Sequence, residues 1–536
     1  MTDAALDAAV EAMTEKRSLY DVTIICTTDD YQAEYWMERL GSGICAKDEG
    51  AVSGSFPIVL GVSEDWAKGG AGNGLGTLYA YQKACRLAQE RYGVDIASFL
   101  GKGEISAALY HTAGKGTRLA PLPASENNNK PAVKLPICHM VNGVSAPMTV
   151  LEAVIRQTGV YAQSRKGRLS VYWGDQVFIP SAPFKYSPSH HVDILCALGE
   201  SAPTPEEWKE RGLDKYGVIA VMPSGESAQV EKVDHATAVS MLSSLGEIKR
   251  VGPSLGSFSI SSAILEALCE EYKEELNAKV GKLDTDPHFW MPLTLPEAEY
   301  AKLMSDKGED KEKCIEHHKR MSKMKTSFLD SNSGDMGMFG AVDVGDNACW
   351  WDYGQVKLYS TNNLKLIDTD KNSDLLRKFL GVKTKQSSDS NIGVEATICP
   401  KSSIASCNIK SGSIIDSVLC CVSCPDVTAT GAIIVNCTAK KIYAPKGSII
   451  YNVIDDSDEG IVVGEGDVRV SVMSADGSSM ILNSNMSVDG KEAWKKVLDG
   501  NTDSFEGVHA KNFNADVATI DRKRKFAYDE TSSKLI

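Results

Sequence analysis

The chain has 536 residues, 43% of them hydrophobic and 24% charged, with a formal net charge of −14. That length holds about two to four domains, and no apolar run reaches bilayer-spanning length. The acidity argues against a general nucleic-acid or anionic-membrane binder, so any phosphate site has to be a local basic pocket. The opening Met1-Thr-Asp-Ala-Ala-Leu-Asp is acidic and lacks an Arg-rich or apolar leader pattern. The expectation is therefore cytoplasmic, or plastid if a leader has been removed. The 14 cysteines read as reduced thiols of an intracellular protein. Cys420, Cys421 and Cys424 form the densest group, without the second Cys or His pair that a zinc site wants.

Residues 1–18 read as a polar amphipathic helix. A strand begins at Tyr20, a helix covers Tyr31–Leu40, and Phe56–Val62 is a second strand. Gly72-Asn73-Gly74-Leu-Gly-Thr reads as a glycine loop opening into a helix that ends near Tyr92. Such a loop is either a tight turn or a helix N-terminus offering N–H groups to an anion or base. Ser106–His111 is an apolar strand feeding a loop with Gly114, Gly116 and Thr117, then Arg118 and, after a polar segment, Lys130-Pro131. Glycines let backbone N–H groups approach phosphate oxygens, and the two cations neutralise what remains. The loop is neither a Walker A motif nor a dinucleotide fingerprint. After a helix at Met148–Thr158, the strand from Leu169 ends in Gly174-Asp175. A carboxylate at a strand's carboxyl end is placed to hold Mg²⁺.

Residues 215–233 read as a hairpin turning at Pro223-Ser-Gly, with Tyr216-Gly217 on one strand and Glu231-Lys232 after the other. Ser254–Ile260 leads into a helix over Ser261–Glu275, and residues 284–294 read as a polar and aromatic loop that either caps a ligand site or simply packs. Residues 296–325 read as a charged helical stretch with His317 and His318 on a solvated face. An aromatic strand ends in Asp352-Tyr-Gly before a helix carrying Asn362 and Asn363. From about residue 390 aliphatic residues recur every six positions: Ile392, Ile398, Ile404, then Ile409, Ile415, Cys421, Val427 and Ile433. That period predicts a β-helix. The last ~80 residues, with the basic run Arg522-Lys-Arg-Lys, read as a small β cap and a loosely held tail.

The stretch Gly114-Lys-Gly-Thr-Arg118-Leu-Ala-Pro-Leu with Lys130-Pro131 resembles the first motif of the sugar-1-phosphate nucleotidyltransferases. Thr112, Ala113 and Gly114 stand where that family has two small residues and a glycine. Gly174-Asp175, Tyr216-Gly217, Glu231-Lys232 and Asp352-Tyr-Gly follow in the order of the family's later motifs. Ser254 replaces a common Asn, and Gln355 a Thr. The resemblance implies an α/β fold, a nucleotidyltransferase-type mixed sheet flanked by helices, with a C-terminal left-handed β-helix. It implies that Gly114, Gly116 and Thr117 wrap the triphosphate, that Arg118 and Lys130 act on the departing pyrophosphate, and that Asp175 and Asp352 hold Mg²⁺. It gives sugar and sugar-phosphate contacts to Tyr216, Gly217, Glu231, Lys232 and Ser254. A Gly-Thr helix that this family has after its main loop stands here before it, at 72–92, with Gly72, Asn73 and Gly74 as further nucleotide contacts. Segment 20–95 is therefore expected to be the middle of a circularly permuted sheet, and its opening also resembles fucose-1-phosphate guanylyltransferases.

The expected units are 1–105, part of the nucleotide-binding sheet; 106–380, the catalytic domain; 381–455, the β-helix; and 456–536, the cap and tail. The expected reaction joins an NTP and a sugar-1-phosphate into an NDP-sugar and pyrophosphate. UTP with glucose-1-phosphate comes first, GTP with fucose-1-phosphate is the alternative, and an inactive nucleotide-sugar-binding regulatory subunit is the rival of another class. No nucleic acid or membrane partner is expected, while the β-helix offers a face for homo-oligomers. A hexapeptide acyltransferase would want a histidine in the coils, and none lies between residues 319 and 508.

Overall fold

A computed structural model describes residues 2–536 apart from 16–17, 67–68, 333, 385 and 387–388. Three helices come early: α1 (Thr2–Thr14), α2 (Asp30–Gly41) and α3 (Gly72–Tyr92). Strands β1 (Val22–Thr27), β2 (Ile58–Ser63) and β3 (Ala107–His111) are short and buried, the first two rich in β-branched residues. A hairpin follows, β4 (Lys134–Val141) with β5 (Val144–Thr149), then β6 (Arg168–Trp173), β7 (Gln176–Ile179) and β8 (His190–Cys196). β9 (Gly217–Val221), β10 (Ser227–Glu231), β11 (Arg250–Ser261), β12 (Gly337–Asp343) and β13 (Cys349–Asp352) complete this half.

Among the described residues the main sheet has nine strands, with a path β10-β9-β11-β6-β3-β1-β2 and β8 and β12 attached beside β11. β1 lies between β2 and β3 and is parallel to both, Val22 pairing with Ile58 on one side and Ala107 on the other. Segment 20–95 therefore belongs to the same sheet as the strand that feeds the glycine loop. Side-chain alternation splits the core between two faces. Val22, Ile24, Cys26, Ala107 and Leu109 pack under α3 and the helix Ser262–Glu271. Ile25, Ala108 and Tyr110 face α1, α2 and the helix Val150–Thr158.

Several expectations need correction. Residues 72–77 are the first turns of α3 rather than a loop. The β4–β5 hairpin was not visible in the sequence; it delivers Thr149 and Glu152 as a reciprocal capping box for the following helix. Helix 261–275 is two helices, Ser262–Glu271 and Lys273–Ala278. Residues 285–294 are a π-helical turn and a short α-helix instead of a loop. His317 and His318 do not share a solvated face: their Nε2 atoms meet the backbone oxygens of His288 and Leu295, at 2.7 and 2.8 Å.

Beyond residue 390 parallel strands stack with offsets of 15 to 19 residues, placing Ile404, Leu419, Ile434 and Ile450 in one column. These side chains fill the inside of the stack with Ile409, Val427 and Ile442. The six-residue period does not describe it throughout, because Ile415 is 43% exposed. Val418, Ile433, Val435 and Tyr451 face the other way and join the core of the N-terminal α/β half. The C-terminus is no loose tail. Val517–Leu535 is a helix whose Arg524 is buried and donates to Ser125 O at 2.5 Å and to Glu126 Oε2 at 3.3 Å. No described helix is long and apolar enough to cross a membrane.

Candidate functional site

The loop leaving β3 turns on two glycines, Gly114 at φ +128° and Gly116 at φ +63°, a region other L-residues rarely adopt. Gly114 has open space on its Cβ side. A Cβ on Gly116 would lie 3.1–3.3 Å from Pro123 and the Lys130 stem, so the loop and Lys130 are packed together. Thr117 opens a short 3₁₀ turn, and Arg118 is exposed at the rim. C-terminal segments underpin this loop: Gly490 packs against Thr117 O, and Asn128 Nδ2 donates to His509 O at 2.7 Å.

Lys130 Nζ is ion-paired with Asp175 Oδ2. Asp175 lies in the turn between β6 and β7, and β7 pairs antiparallel with β13, which ends in Asp352. Tyr353 N donates to Asp175 O at 3.0 Å, and Gly354 N donates to Asp352 Oδ1 at 2.6 Å. A Cβ on Gly354 would stand 2.8 Å from Asp175 Oδ2 and 3.0 Å from Asp352 Oδ1, so the two carboxylates flank one point. Burial pushes the Asp352 pKa up; the Gly354 N–H opposes the shift, the Asp175 charge adds to it, and Arg118 and Lys130 oppose it. Four of the predicted residues thus share one electrostatic site. Two half-buried carboxylates beside the Lys130 and Arg118 cations are a hard-oxygen donor set that fits Mg²⁺, which uses one or two carboxylates plus substrate phosphates. Asn362 donates to Asp352 O at 2.8 Å and so braces this strand end.

Gly72, Asn73 and Gly74 lie at the start of α3, against segment 283–285. Gly74 N donates to Leu283 O at 2.8 Å, Asn73 N donates to Asp284 Oδ1 at 3.0 Å, and Asn73 Oδ1 accepts from Thr285 N at 2.8 Å. The start of α3 is thus engaged by segment 283–285. One turn on, Thr77 Oγ1 donates to Asn73 O at 2.7 Å and meets His111 Nε2 at 2.8 Å. Because that hydroxyl proton is already committed, His111 Nε2 carries the donated proton. Burial pulls the His111 pKa down to about 4, so the ring is neutral near pH 7.

At the other end of the sheet a Cβ on Gly217 would lie 2.7 Å from Glu231 Oε2, 3.4 Å from Gln229 Nε2 and 3.7 Å from Ser254 Cβ. Gly217, Glu231 and Ser254 are therefore together, while Tyr216 is 44% exposed. Lys232, at φ +54°, pairs with Glu231 at 2.6 Å. Ser254 Oγ accepts from Gly256 N at 3.0 Å, and Gly256 abuts the Trp173 indole one residue before Gly174-Asp175. Asp286 stands over this group. Burial, then the Glu231 charge, raises its pKa from 3.8 to about 7.

The chain matches no family model and no curated protein. Among solved structures it is similar to HddC from Yersinia pseudotuberculosis, solved in complex with GMP-PN. The match has 13% identity and a TM-score of 0.20, and covers 64% of this chain and 97% of that one. A likeness at that level carries no weight on fold or function.

Sequence reasoning missed His111 and Gln229, and left the segment of Asp284 and Asp286 open between capping a site and packing. Asp284 and Asp286 sit in a segment whose aromatic composition looks like packing, and His111 ends a strand. No short motif marks them, and only the sheet brings them beside α3 and the β9–β10 hairpin.

Proposed function

We propose that this chain is a sugar-1-phosphate nucleotidyltransferase, joining an NTP and a sugar-1-phosphate into an NDP-sugar with release of pyrophosphate. The observation that carries the reading is the convergence of Lys130, Asp175 and Asp352, with Arg118 beside them, at the loop of Gly114 and Gly116. The sugar phosphate oxygen attacks the α-phosphorus in line, and the bond to the pyrophosphate oxygen breaks. No protein nucleophile is needed; the reaction needs several anions aligned and neutralised.

Gly114, Gly116 and Thr117 present backbone N–H groups to the triphosphate. Arg118 and Lys130 stabilise the charge that develops on the leaving pyrophosphate. Asp175 and Asp352 would hold Mg²⁺, which neutralises phosphate charge when bound. Glu231, with Gly217 and Ser254 beside it, accepts hydrogen bonds from sugar hydroxyls, and Lys232 grips the sugar phosphate once released from Glu231. The engaged start of α3 gives Gly72, Asn73 and Gly74 a supporting role: through Thr77 and His111 they fix the strand that feeds the glycine loop. In this reading the sheet order β2-β1-β3-β6 is a circular permutation of the family's sheet, and the stacked parallel turns are a β-helix.

The test is pyrophosphate release by purified chain with Mg²⁺ across a panel of NTPs and sugar-1-phosphates, beginning with UTP and glucose-1-phosphate and then GTP and fucose-1-phosphate. Turnover of at least one pair, abolished by chelation and reduced on the order of 10²–10³-fold by Asp175→Asn, is the expected result. Binding of a nucleotide sugar with no turnover of any pair would replace this reading with the regulatory one.

A further inference from the structure

Three cysteine sulfurs that the site above does not use meet where the β4–β5 hairpin crosses the C-terminal stack. Cys138 Sγ lies 3.4 Å from both Cys420 Sγ and Cys421 Sγ, and those two are 3.9 Å apart. Among the described residues this is the one group of three or more Cys, His, Asp or Glu side chains whose ligand atoms lie within 4.8 Å of one another. Cys424, the third member of the group seen in the sequence, is elsewhere, its Sγ against Asp426 O at 3.2 Å.

Successive residues of a strand point to opposite faces. Cys420 and Cys421 reach the same partner because Cys421 sits at φ +52°, which breaks the alternation. The stack repeats this corner. Ala405, Cys420, Val435 and Tyr451 are in register, and the residues after them, Ser406, Cys421, Asn436 and Asn452, all have φ between +51° and +56°. Asn is favoured in this region, and Asn436 donates to Asn452 Oδ1 at 2.7 Å along the column. Cysteine has no such preference. Cys421 holds a strained position and turns its sulfur to Cys138.

The spacing suits a metal. A metal–sulfur bond of about 2.3 Å in tetrahedral geometry sets sulfurs about 3.8 Å apart. Hard cations take oxygen donors, whereas thiolates select Zn²⁺ or Cu⁺. Cys420 is fully buried, while Cys138 and Cys421 are half-buried, which leaves one side open. The Ser145 and Ser406 hydroxyls lie beside Cys138 and 3.3 Å from each other. Tyr528 of the C-terminal helix donates to Cys421 O at 2.9 Å.

We infer that Cys138, Cys420 and Cys421 form a three-thiolate site for a thiophilic d¹⁰ ion, Zn²⁺ or Cu⁺, which fastens the β4–β5 hairpin to the C-terminal stack. Loading releases the three thiol protons to solvent and leaves the fourth position open for water or an exchange ligand.

The full chain, stripped of metal under reductant, is titrated with Zn²⁺ and, anaerobically, with Cu⁺, each against a chromophoric chelator. Tight binding of one equivalent of either ion is expected, and the ion held more tightly identifies the occupant. Cys138→Ser and Cys421→Ser should each weaken binding by more than the roughly 10²-fold that loss of an outer-shell partner costs, and Cys424→Ser should leave it unchanged. Cobalt substitution of the wild type should give sulfur-to-cobalt charge-transfer bands, a readout independent of how the variants fold. Equal binding by wild type and Cys138→Ser, a cobalt spectrum without those bands, or a Cys138 disulfide to Cys420 or Cys421 surviving in reductant would each overturn the proposal.

Discussion

Lys130 Nζ and Asp175 Oδ2 are ion-paired across the carboxyl ends of β3 and β6, although 45 residues separate them. The pair is four-fifths buried on both sides, so each charge is held where solvent screens it weakly. In the proposed reaction Lys130 exchanges this partner for phosphate oxygens as nucleotide and Mg²⁺ enter. A residue that is the pre-formed counter-charge of a metal ligand should matter to the chemical step more than to the fold.

Lys130→Met is therefore expected to lower the turnover of pyrophosphate release on the order of 10²–10³-fold with a small change in melting temperature. Steady-state kinetics beside thermal denaturation check this. A large loss of stability at near-native turnover would assign Lys130 a structural task only.

Gly354→Ala places a methyl 2.8 Å from Asp175 Oδ2 and 3.0 Å from Asp352 Oδ1. The carboxylates have to part, and a displacement of this size costs on the order of 10²-fold in rate. The expected signature is a raised Mg²⁺ requirement, read from the metal dependence of turnover. An unchanged requirement would show that the two carboxylates do not hold one ion.

Glu126 stabilises the junction between the N-terminal α/β half and the C-terminal region. It accepts from Lys134 Nζ at 2.6 Å, Asn452 Nδ2 at 2.8 Å and Arg524 at 3.3 Å, and also from the Tyr451 hydroxyl, while only 3% exposed. Glu126→Ala leaves Lys134 and Arg524 buried without their shared partner, and about 3–5 kcal/mol of stability should be lost. Denaturant unfolding measures it. Although burial opposes ionisation, the surrounding cations hold the Glu126 pKa below its usual 4.5. The stabilisation is thus present above pH 4.5 and lost as pH falls through the depressed value, a slope that Glu126→Gln should remove.

Asp286 gives the opposite slope. Its folded pKa of about 7 exceeds the usual 3.8, so between these values the folded chain holds a proton that the unfolded chain has released. Its stabilising contribution is complete below pH 3.8 and declines until pH passes about 7. Asp286→Asn should therefore gain melting temperature relative to wild type as pH rises from 4 to 7, with the difference levelling off above that. Parallel melting profiles from pH 4 to 8 would contradict the burial of this carboxylate against Glu231.

The sequence by itself determined what is local. Short, largely apolar runs specify β1, β3 and β6, because a strand buried on both faces of a sheet reads as a continuous apolar stretch. Gly114, Gly116 and Gly354 mark turns and close approaches that a Cβ would disturb, and the strand ends carry Asp175 and Asp352. The tertiary structure decided what depends on distance along the chain. Pairing of β1 with β3 puts segment 20–95 into the same sheet as the strand that feeds the glycine loop. Packing of segment 283–286 occupies the start of α3 and lifts the Asp286 pKa. The left-handed corner at Cys421 brings Cys138 to two sulfurs more than 280 residues away. The basic run at 522–525 shows the same limit: composition marks it as a solvated tail, yet the buried Glu126 carboxylate draws Arg524 into the interior. Charge and period along the chain fix the character of a segment, whereas the partner that satisfies it is fixed only when the sheet and the stack close on each other.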